Sequence, residues 1–397
     1  MLLAHEDYRN SCLNLIASEN YASKRVRDYL GCDLSNRYGC YETSDPSERE
    51  YTGNKYIHQI EMATQELVKE IFQAKYADLR PIGGHMAGMS VVLALLEPGD
   101  HVIEVSLADW GHGLVAPMCQ IRQFDETINV EFMKFTEDRE VDVEALKEQV
   151  KKVKPKLVIF GGSGTIFQEP VAALRPLADE MGFYIAYDAA HVTGLIASGM
   201  FTNPLNDGAD ILFGSTHKSF PGPQGGFVVS NHYDLIQKVG NTLSPSLVTS
   251  HHLNRMPALA ASILEMKEFG KEYGAQIVKN SKALAHALHE FGFDVQGKNK
   301  GYTDSHLILV NFQGIIDEAP AKLLEQANIL VSDDFSGQAP EVRVGTPEVT
   351  RRGYKEGDMQ QIAVFFKELI FDKKPVEEVK EEVEKMARRF TGIEYTF

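Results

Sequence analysis

The sequence predicts an α/β protein: a three-layer α/β/α large domain on a mainly parallel sheet, followed by a smaller C-terminal α/β domain. Three observations predict it. Short, continuous apolar runs recur at 101–105, 157–160, 183–187, 211–213 and 227–229, with helical periodicity such as 171–181 between some of them. Strands that are apolar without alternation are buried on both faces, as in a parallel sheet covered by helices. A long, mostly helical stretch at 258–288 then leads to two more apolar runs, 307–312 and 342–344, and two more helical segments, 318–327 and 358–370. Finally, 397 residues exceed what one small core absorbs. The expected limits are an N-terminal arm at 1–35, a large domain at 36–270 and a small domain at 271–397.

The elements follow in order. Residues 1–35 mix helical and irregular signals. Residues 36–55 are rich in Gly, Ser, Asp, Glu and Tyr, contain Pro46, and read as a long loop of the functional kind. Ile60, Ala63, Leu67, Val68 and Ile71 have helical spacing, and Gly83-Gly84 precedes an apolar helix over 86–96. In the tail, Val376, Val379, Val383, Met386 and Phe390 form one apolar stripe. It is short, so it predicts a surface helix packed on the small domain rather than a partner-binding coiled coil.

Composition excludes several function classes. Apolar and charged fractions of 43% and 24% are ordinary for a globular chain, and the net charge of −16 argues against nucleic acid or an anionic membrane as partner. Cys12, Cys32, Cys40 and Cys119 form no C-x-x-C pair and read as free thiols of a reducing compartment. The first residues lack a basic region followed by an apolar run, and no apolar stretch approaches membrane-spanning length, so a cytoplasmic location is expected.

Two residues carry the chemistry. Asp188 closes the apolar run 183–187, and Lys218 follows the run 211–213 in Ser215-Thr216-His217-Lys218. In parallel sheets, ligands sit at the carboxyl ends of strands. A lysine amine and a buried carboxylate there are what pyridoxal phosphate (PLP) needs: the amine holds the cofactor covalently, and the carboxylate keeps the pyridine nitrogen protonated. Alone, the lysine reads as a surface charge and the aspartate as a cap; in this order, they make a strong signal. His217, Ser215 and the tight turn 221–226 reinforce it.

Other candidates are weaker singly. Gly83-Gly84-His85 would present backbone N–H groups to the cofactor phosphate, or form a plain turn into the helix. Arg343, inside an apolar strand, needs a fixed anion: a substrate carboxylate or a structural ion pair. Arg351 and Arg352 are expected at the surface. His112 stacks on the cofactor or is a satisfied core histidine. His251 and His252 have no acidic or thiol cluster to complete a metal site and are expected as loop residues; no metal is expected.

These residues resemble the serine hydroxymethyltransferase family of fold-type I PLP-dependent enzymes. The likeness is carried by Leu15-Ile16-Ala17-Ser18-Glu19-Asn20-Tyr21, by 188–195, by Ser215-Thr216-His217-Lys218 with Gly222-Pro223 and Gly225-Gly226, and by 343–347 with 350–354. The resemblance implies that Lys218 carries PLP, Asp188 pairs with the pyridine nitrogen, His191 and Ser163 support the phenolic side, and His112 stacks on the ring. It implies that Gly83, Gly84, His85 and Ser215 hold the phosphate, with His217 beside the cofactor, and that Ser18 and Arg343 bind the amino-acid carboxylate. Tyr38 reaches in from a neighbouring subunit, so a homodimer or a dimer of dimers is implied.

Departures from the family pattern lie mostly on the folate side. Gly83-Gly84-His85 replaces Ser-Gly-Ser, and Gln224 replaces an arginine. Thr249 and Ser250 stand where the neighbour's Gly-Gly phosphate turn is expected. In the loop 38–53, which is longer than in the family, Tyr51 survives from a tyrosine pair whose second member is Thr52, and Glu42 is the candidate for the family's glutamate. The segment Ser332-Asp333-Asp334 is short and acidic, while Leu107 and Gly111 match the pterin wall.

The expected activity is cleavage or formation of the Cα–Cβ bond of a β-hydroxy-α-amino acid. Serine–glycine hydroxymethyl transfer with tetrahydrofolate or a modified tetrahydropterin is the first reading. A folate-independent threonine-type aldolase or transaldolase is the second. A scaffold without activity is disfavoured, because Lys218, Asp188 and Arg343 are all present.

Overall fold

A computed structural model describes every residue except 44, 50, 120–127, 317–318 and 334–339. The larger sheet has seven strands: β1 (Tyr76–Asp78), β2 (His101–Glu104), β3 (Asn129–Phe132), β4 (Leu157–Phe160), β5 (Tyr184–Asp188), β6 (Ile211–Ser215) and β7 (Gly226–Ser230). Across the sheet they run β1-β7-β6-β5-β4-β2-β3. The strands from β6 to β3 in that order are parallel, and β7 is antiparallel to both β6 and β1.

The apolar runs mark the central strands because both faces are covered. Val158, Phe160, Ile185, Tyr187 and Leu212 point into one core with the helices Val171–Met181 and Arg255–Glu290. Their neighbours Leu157, Ile159, Ala186, Ile211 and Phe213 point into the other, against the helix Gly84–Leu95. Strand alternation thus builds the three layers. β1 and β3 have no such run. They lie at the two edges, and most of β3 is exposed, so polar residues are tolerated there.

The helix Arg255–Glu290 links the two cores. Met256, Leu259 and Ile263 belong to the first, and Leu284, Ala285 and Leu288 to the second. The second core surrounds an antiparallel sheet of β8 (Asp294–Val295), β9 (Leu307–Asn311), β10 (Ser332–Asp333) and β11 (Glu341–Gly345), ordered β10-β11-β9-β8. The helices Glu356–Ile370 and Val376–Ala387 pack on it through Met359, Ile362, Phe366, Val379 and Val383. Phe390 stacks on Tyr354 with ring centroids 3.8 Å apart, which completes the tail stripe.

The N-terminal helix Leu2–Asn10 buries no residue. Leu13 and Asn14 then pair in parallel with Ile329 and Leu330, and the chain crosses to the larger sheet. Among the described residues, no helix is long and apolar enough to cross a membrane.

Arg351 and Arg352 correct the sequence reading, because neither is a surface charge. Arg351 is buried, donates to Glu265 at 2.6 Å and packs over Tyr273. Arg352 pairs with the buried Glu348 at 3.0 Å and lies over Tyr21. Each has a carboxylate that is distant or one helical turn away, which a local reading of an Arg-Arg pair does not reveal. Asp334 and the expected helix start at 318 lie outside the described residues.

Candidate active site

Parallel pairing of β5 with β6 sets Asp188 opposite Phe213, close to the end of β6 that leads to Lys218. Asp188 is buried. Its Oδ1 accepts the Ala190 N–H at 2.9 Å, and its Oδ2 lies 2.5 Å from His112 Nδ1. Burial pushes this carboxyl up, but His112, the Ala190 N–H and Lys218 outweigh burial and hold it below the usual carboxylate range. Gly161, at φ +93°, presses against it: a Cβ there would lie 2.0 Å from Asp188 O.

Lys218 sits on a loop that folds back on itself. Thr216 N–H donates to Gly225 O at 3.1 Å, Thr216 Oγ1 to Pro223 O at 2.6 Å, and Gly222 N–H to Thr216 O at 2.9 Å. From the N-terminal segment, Asn20 Nδ2 donates to Lys218 O at 2.8 Å. Burial pushes the Lys218 ammonium down to about 8; Asp188 opposes this and Arg343 adds to it. The amine is therefore available as a nucleophile near neutral pH. Lys218, Ser18 and His217 share the wall of a cavity of about 800 Å³. Burial and Lys218 push His217 down to about 4.

The helix Gly84–Leu95 starts beside the end of β6. A Cβ on Gly84 would lie 2.2 Å from Ser215 Oγ, and one on Gly226 would lie 2.3 Å from Gly83 O. Only glycines let these backbones meet, and the free N–H groups of the first helical turn lie next to Ser215. His85 lies beside them, with Nδ1 3.4 Å from His112 Nε2 and the ring centroids 5.2 Å apart. Burial, then His112, lowers its pKa.

Arg343 arrives from the small sheet, on β11 opposite Leu309 and Ser332. It is buried, donates from Nη1 to Ser163 O at 2.8 Å, and its guanidinium lies 5.2 Å from the Trp110 ring centre. Burial pushes it down to about 10. Ser163 is held in turn by Trp110 O, through N–H at 2.6 Å and Oγ at 3.0 Å. His191 is buried with Nδ1 unbonded among the described residues, and it stacks on His306 at 5.6 Å. Burial and Lys218 push His191 well below its ordinary value, and burial and Arg343 push His306 to about 3. His306 escaped the sequence reading, since no motif marks it.

Comparison with known proteins gives the family. Residues 2–366 match the family model described as serine hydroxymethyltransferase. The chain belongs to the serine hydroxymethyltransferase family. It is 39% identical over 411 residues to the serine hydroxymethyltransferase of Methanobrevibacter smithii, covering 99% of this chain and 93% of that protein. It is 40% identical over 404 residues to that of Staphylothermus marinus, covering 98% and 90%. Among solved structures it resembles L-threonine transaldolase from Pseudomonas fluorescens, with a TM-score of 0.91 and 29% identity, covering 100% of this chain and 92% of that one. The fold is that of the fold-type I PLP-dependent enzymes, as the sequence predicted.

Among the remaining candidates of this hydroxymethyltransferase-family chain, Tyr38, Tyr51 and Thr249 form a second cluster. Tyr38 Oη donates to Thr249 Oγ1 at 3.2 Å, and its ring centre lies 5.1 Å from that of Tyr51. Tyr38 and Tyr51 are about half exposed, Glu42 is exposed, and Ser250 adjoins Thr249. Among the described residues, no hydrogen bond or ion pair joins these five to Lys218 or its neighbours. Beneath them lies a buried hub that the sequence reading missed. Glu61 accepts the Tyr41 hydroxyl at 2.6 Å, Arg49 Nη2 and His251 Nε2, the last at 2.9 Å from Oε1. His251 is therefore a buried partner of a carboxylate, not a plain loop residue; the carboxylate is 190 residues away in the chain. Arg255, buried within the electrostatic reach of Glu61, donates to Pro81 O at 2.8 Å and Gly226 O at 3.1 Å, beside the start of the helix Gly84–Leu95.

Proposed function

We propose that this protein is a PLP-dependent serine–glycine hydroxymethyltransferase with a tetrahydropterin as one-carbon acceptor. One observation carries the reading: Lys218 and Asp188 lie at the carboxyl ends of the adjacent strands β6 and β5, with Arg343 brought to them from the small sheet. Membership of the family supports it.

The residues present fit PLP. A buried lysine with a lowered pKa, a buried carboxylate, a glycine cradle at a helix start and an unbonded buried His191 nitrogen form the donor set this cofactor requires. Bound PLP supplies an electron sink for the pair released when Cα–Cβ breaks. The chain does the rest. Lys218 holds the cofactor, and Asp188 keeps its ring nitrogen protonated. Gly83, Gly84, His85 and Ser215 take the phosphate, and His191 and Ser163 the phenolic side. Ser18 and Arg343 would grip the amino-acid carboxylate and so fix the orientation of the breaking bond. His112, bonded to Asp188 in this structure, would lie against the cofactor ring when PLP is bound. Glu42 or His112 takes the β-hydroxyl proton, formaldehyde leaves toward the pterin, and a proton returns to Cα to give glycine.

Tyr38, Tyr51, Thr249, Ser250 and Glu42 of one subunit serve the site of a second subunit, which accounts for their exposure. A transaldolase reading without pterin has its own support: the similarity to the transaldolase structure, Thr52 in place of a tyrosine, and the acidic Asp333.

The test is serine turnover by the PLP-loaded protein with and without tetrahydrofolate or a modified tetrahydropterin. Glycine formation that depends strongly on one pterin supports the proposal. Serine turnover indifferent to every pterin, with threonine and an added aldehyde yielding a new β-hydroxy amino acid, overturns it in favour of transaldol transfer.

A further inference from the structure

Glu169 takes no part in the scheme above, yet it is a buried carboxyl behind the site. It lies just before the helix Val171–Met181, with its own carbonyl accepting Val171 N–H at 3.0 Å. Its Oε1 accepts the Gly161 N–H at 3.1 Å and lies 3.5 Å from Thr165 Oγ1. Gly161 is the residue pressed against Asp188 O. Two residues on, the Ser163 carbonyl takes Arg343 Nη1, and Ser163 itself is tied to Trp110. The turn 161–163 thus bridges Asp188 and Arg343, and Glu169 anchors it through the Gly161 N–H. Burial raises the Glu169 carboxyl to about 7, against the pull of Tyr187 and the Gly161 N–H. An apolar or small residue here would leave the Gly161 N–H buried and unsatisfied.

We propose that Glu169 is a positioning residue that acts through the Gly161–Ser163 turn to aim Arg343 at the substrate carboxylate. Asp188 is less sensitive to it, because pairing of β5 with its neighbours holds that residue independently. The inference rests on the reading of Arg343 as the carboxylate clamp.

The experiment measures Kd by spectral titration of the PLP-loaded protein with glycine and with methylamine, an amine that lacks a carboxylate. Glu169→Ala and Glu169→Asp are expected to raise the glycine Kd about tenfold, the size of one lost buried hydrogen bond, and to leave methylamine unchanged. Glu169→Gln keeps an acceptor oxygen and is expected to bind glycine like the wild type. In an Arg343→Ala background, Glu169→Ala is expected to have no further effect, since the two act as one unit. If Arg343→Ala leaves glycine binding intact, the clamp reading fails, and this inference with it. If Arg343→Ala weakens glycine but Glu169→Ala and Glu169→Asp do not, the clamp stands and the role of Glu169 is overturned. Equal weakening of glycine and methylamine, or full additivity with Arg343→Ala, marks a general structural role and overturns positioning. If Glu169→Ala does not fold, Glu169→Asp decides.

Discussion

Lys218 shows how much one residue's environment decides. Burial, helped by Arg343, takes its ammonium down to about 8 against the opposing pull of the Asp188 carboxylate. Only the neutral amine attacks, so the rate of PLP capture by the protein is expected to rise with pH and level off above about 8. Asp188→Asn removes the opposing charge, so its profile is expected to shift to lower pH; stopped-flow absorbance across pH 6 to about 10 reads both. An unshifted profile in the variant would mean that Asp188 and Lys218 are not electrostatically coupled.

Glu61 makes a stability argument at the same scale. Burial pushes its carboxyl up, but His251, Arg49 and the Tyr41 hydroxyl outweigh burial and hold it at about 2. A folded-state pKa below the ordinary value adds stability that is fully present above about 4.5 and is lost as pH falls toward about 2. Glu61→Gln leaves Arg49 without its buried counter-charge and is expected to cost about 3–5 kcal/mol near neutral pH. Urea unfolding would read this cost, together with a flatter dependence between about pH 5 and pH 3 than the wild type shows.

At the scale of elements, the junction between the helix Gly84–Leu95 and β6 is the sensitive one. Gly84→Ala puts a methyl 2.2 Å from Ser215 Oγ, whereas a Cβ on Gly83 meets nothing within 4 Å. Gly84→Ala is therefore expected to weaken PLP binding about tenfold or more by moving the helix start away from the strand end, and Gly83→Ala to leave it nearly unchanged. Equilibrium dialysis of PLP separates the two. The helix Val143–Val153 offers the opposite case. Its N-cap Asp142 accepts the Ala145 N–H at 3.0 Å, far from the chemistry, and Asp142→Ala is expected to cost about 1 kcal/mol in thermal unfolding without changing substrate affinity.

At the scale of the whole molecule, the site residues fall into two clusters in one chain: the first around Lys218, the second around Tyr38, Tyr51 and Thr249. If each cluster completes the site of another subunit, Lys218→Ala and Tyr51→Ala, inactive separately, are expected to recover activity when unfolded and refolded together. Half of a random dimer population is mixed, and one of its two sites is intact, so recovery approaches about a quarter of wild type. No recovery would place both clusters in the same subunit's site.

Much of this was legible in the chain. The central strands were readable because burial on both faces removes polar residues from them, and Asp188, Lys218 and Arg343 because charge at the end of, or within, an apolar run demands a partner. The edge strands β1 and β3 were not: β1 is only three residues long and β3 is mostly exposed, so neither carries an apolar run. Nor were His306, the depth of Arg351, or the bond between His251 and Glu61, for each depends on a partner far along the chain. Sequence by itself determined the α/β class and the family signature and singled out the candidate side chains, because local periodicity and motif order are properties of neighbouring residues. Only the tertiary structure decided which groups face one another: that His112 lies on Asp188, that Ser163 presents its carbonyl to Arg343, and that Glu169 stands behind the turn that joins them. Such contacts arise where the helix Arg255–Glu290 and the turns after β4, β5 and β6 bring remote segments together, and no spacing along the chain encodes that distance.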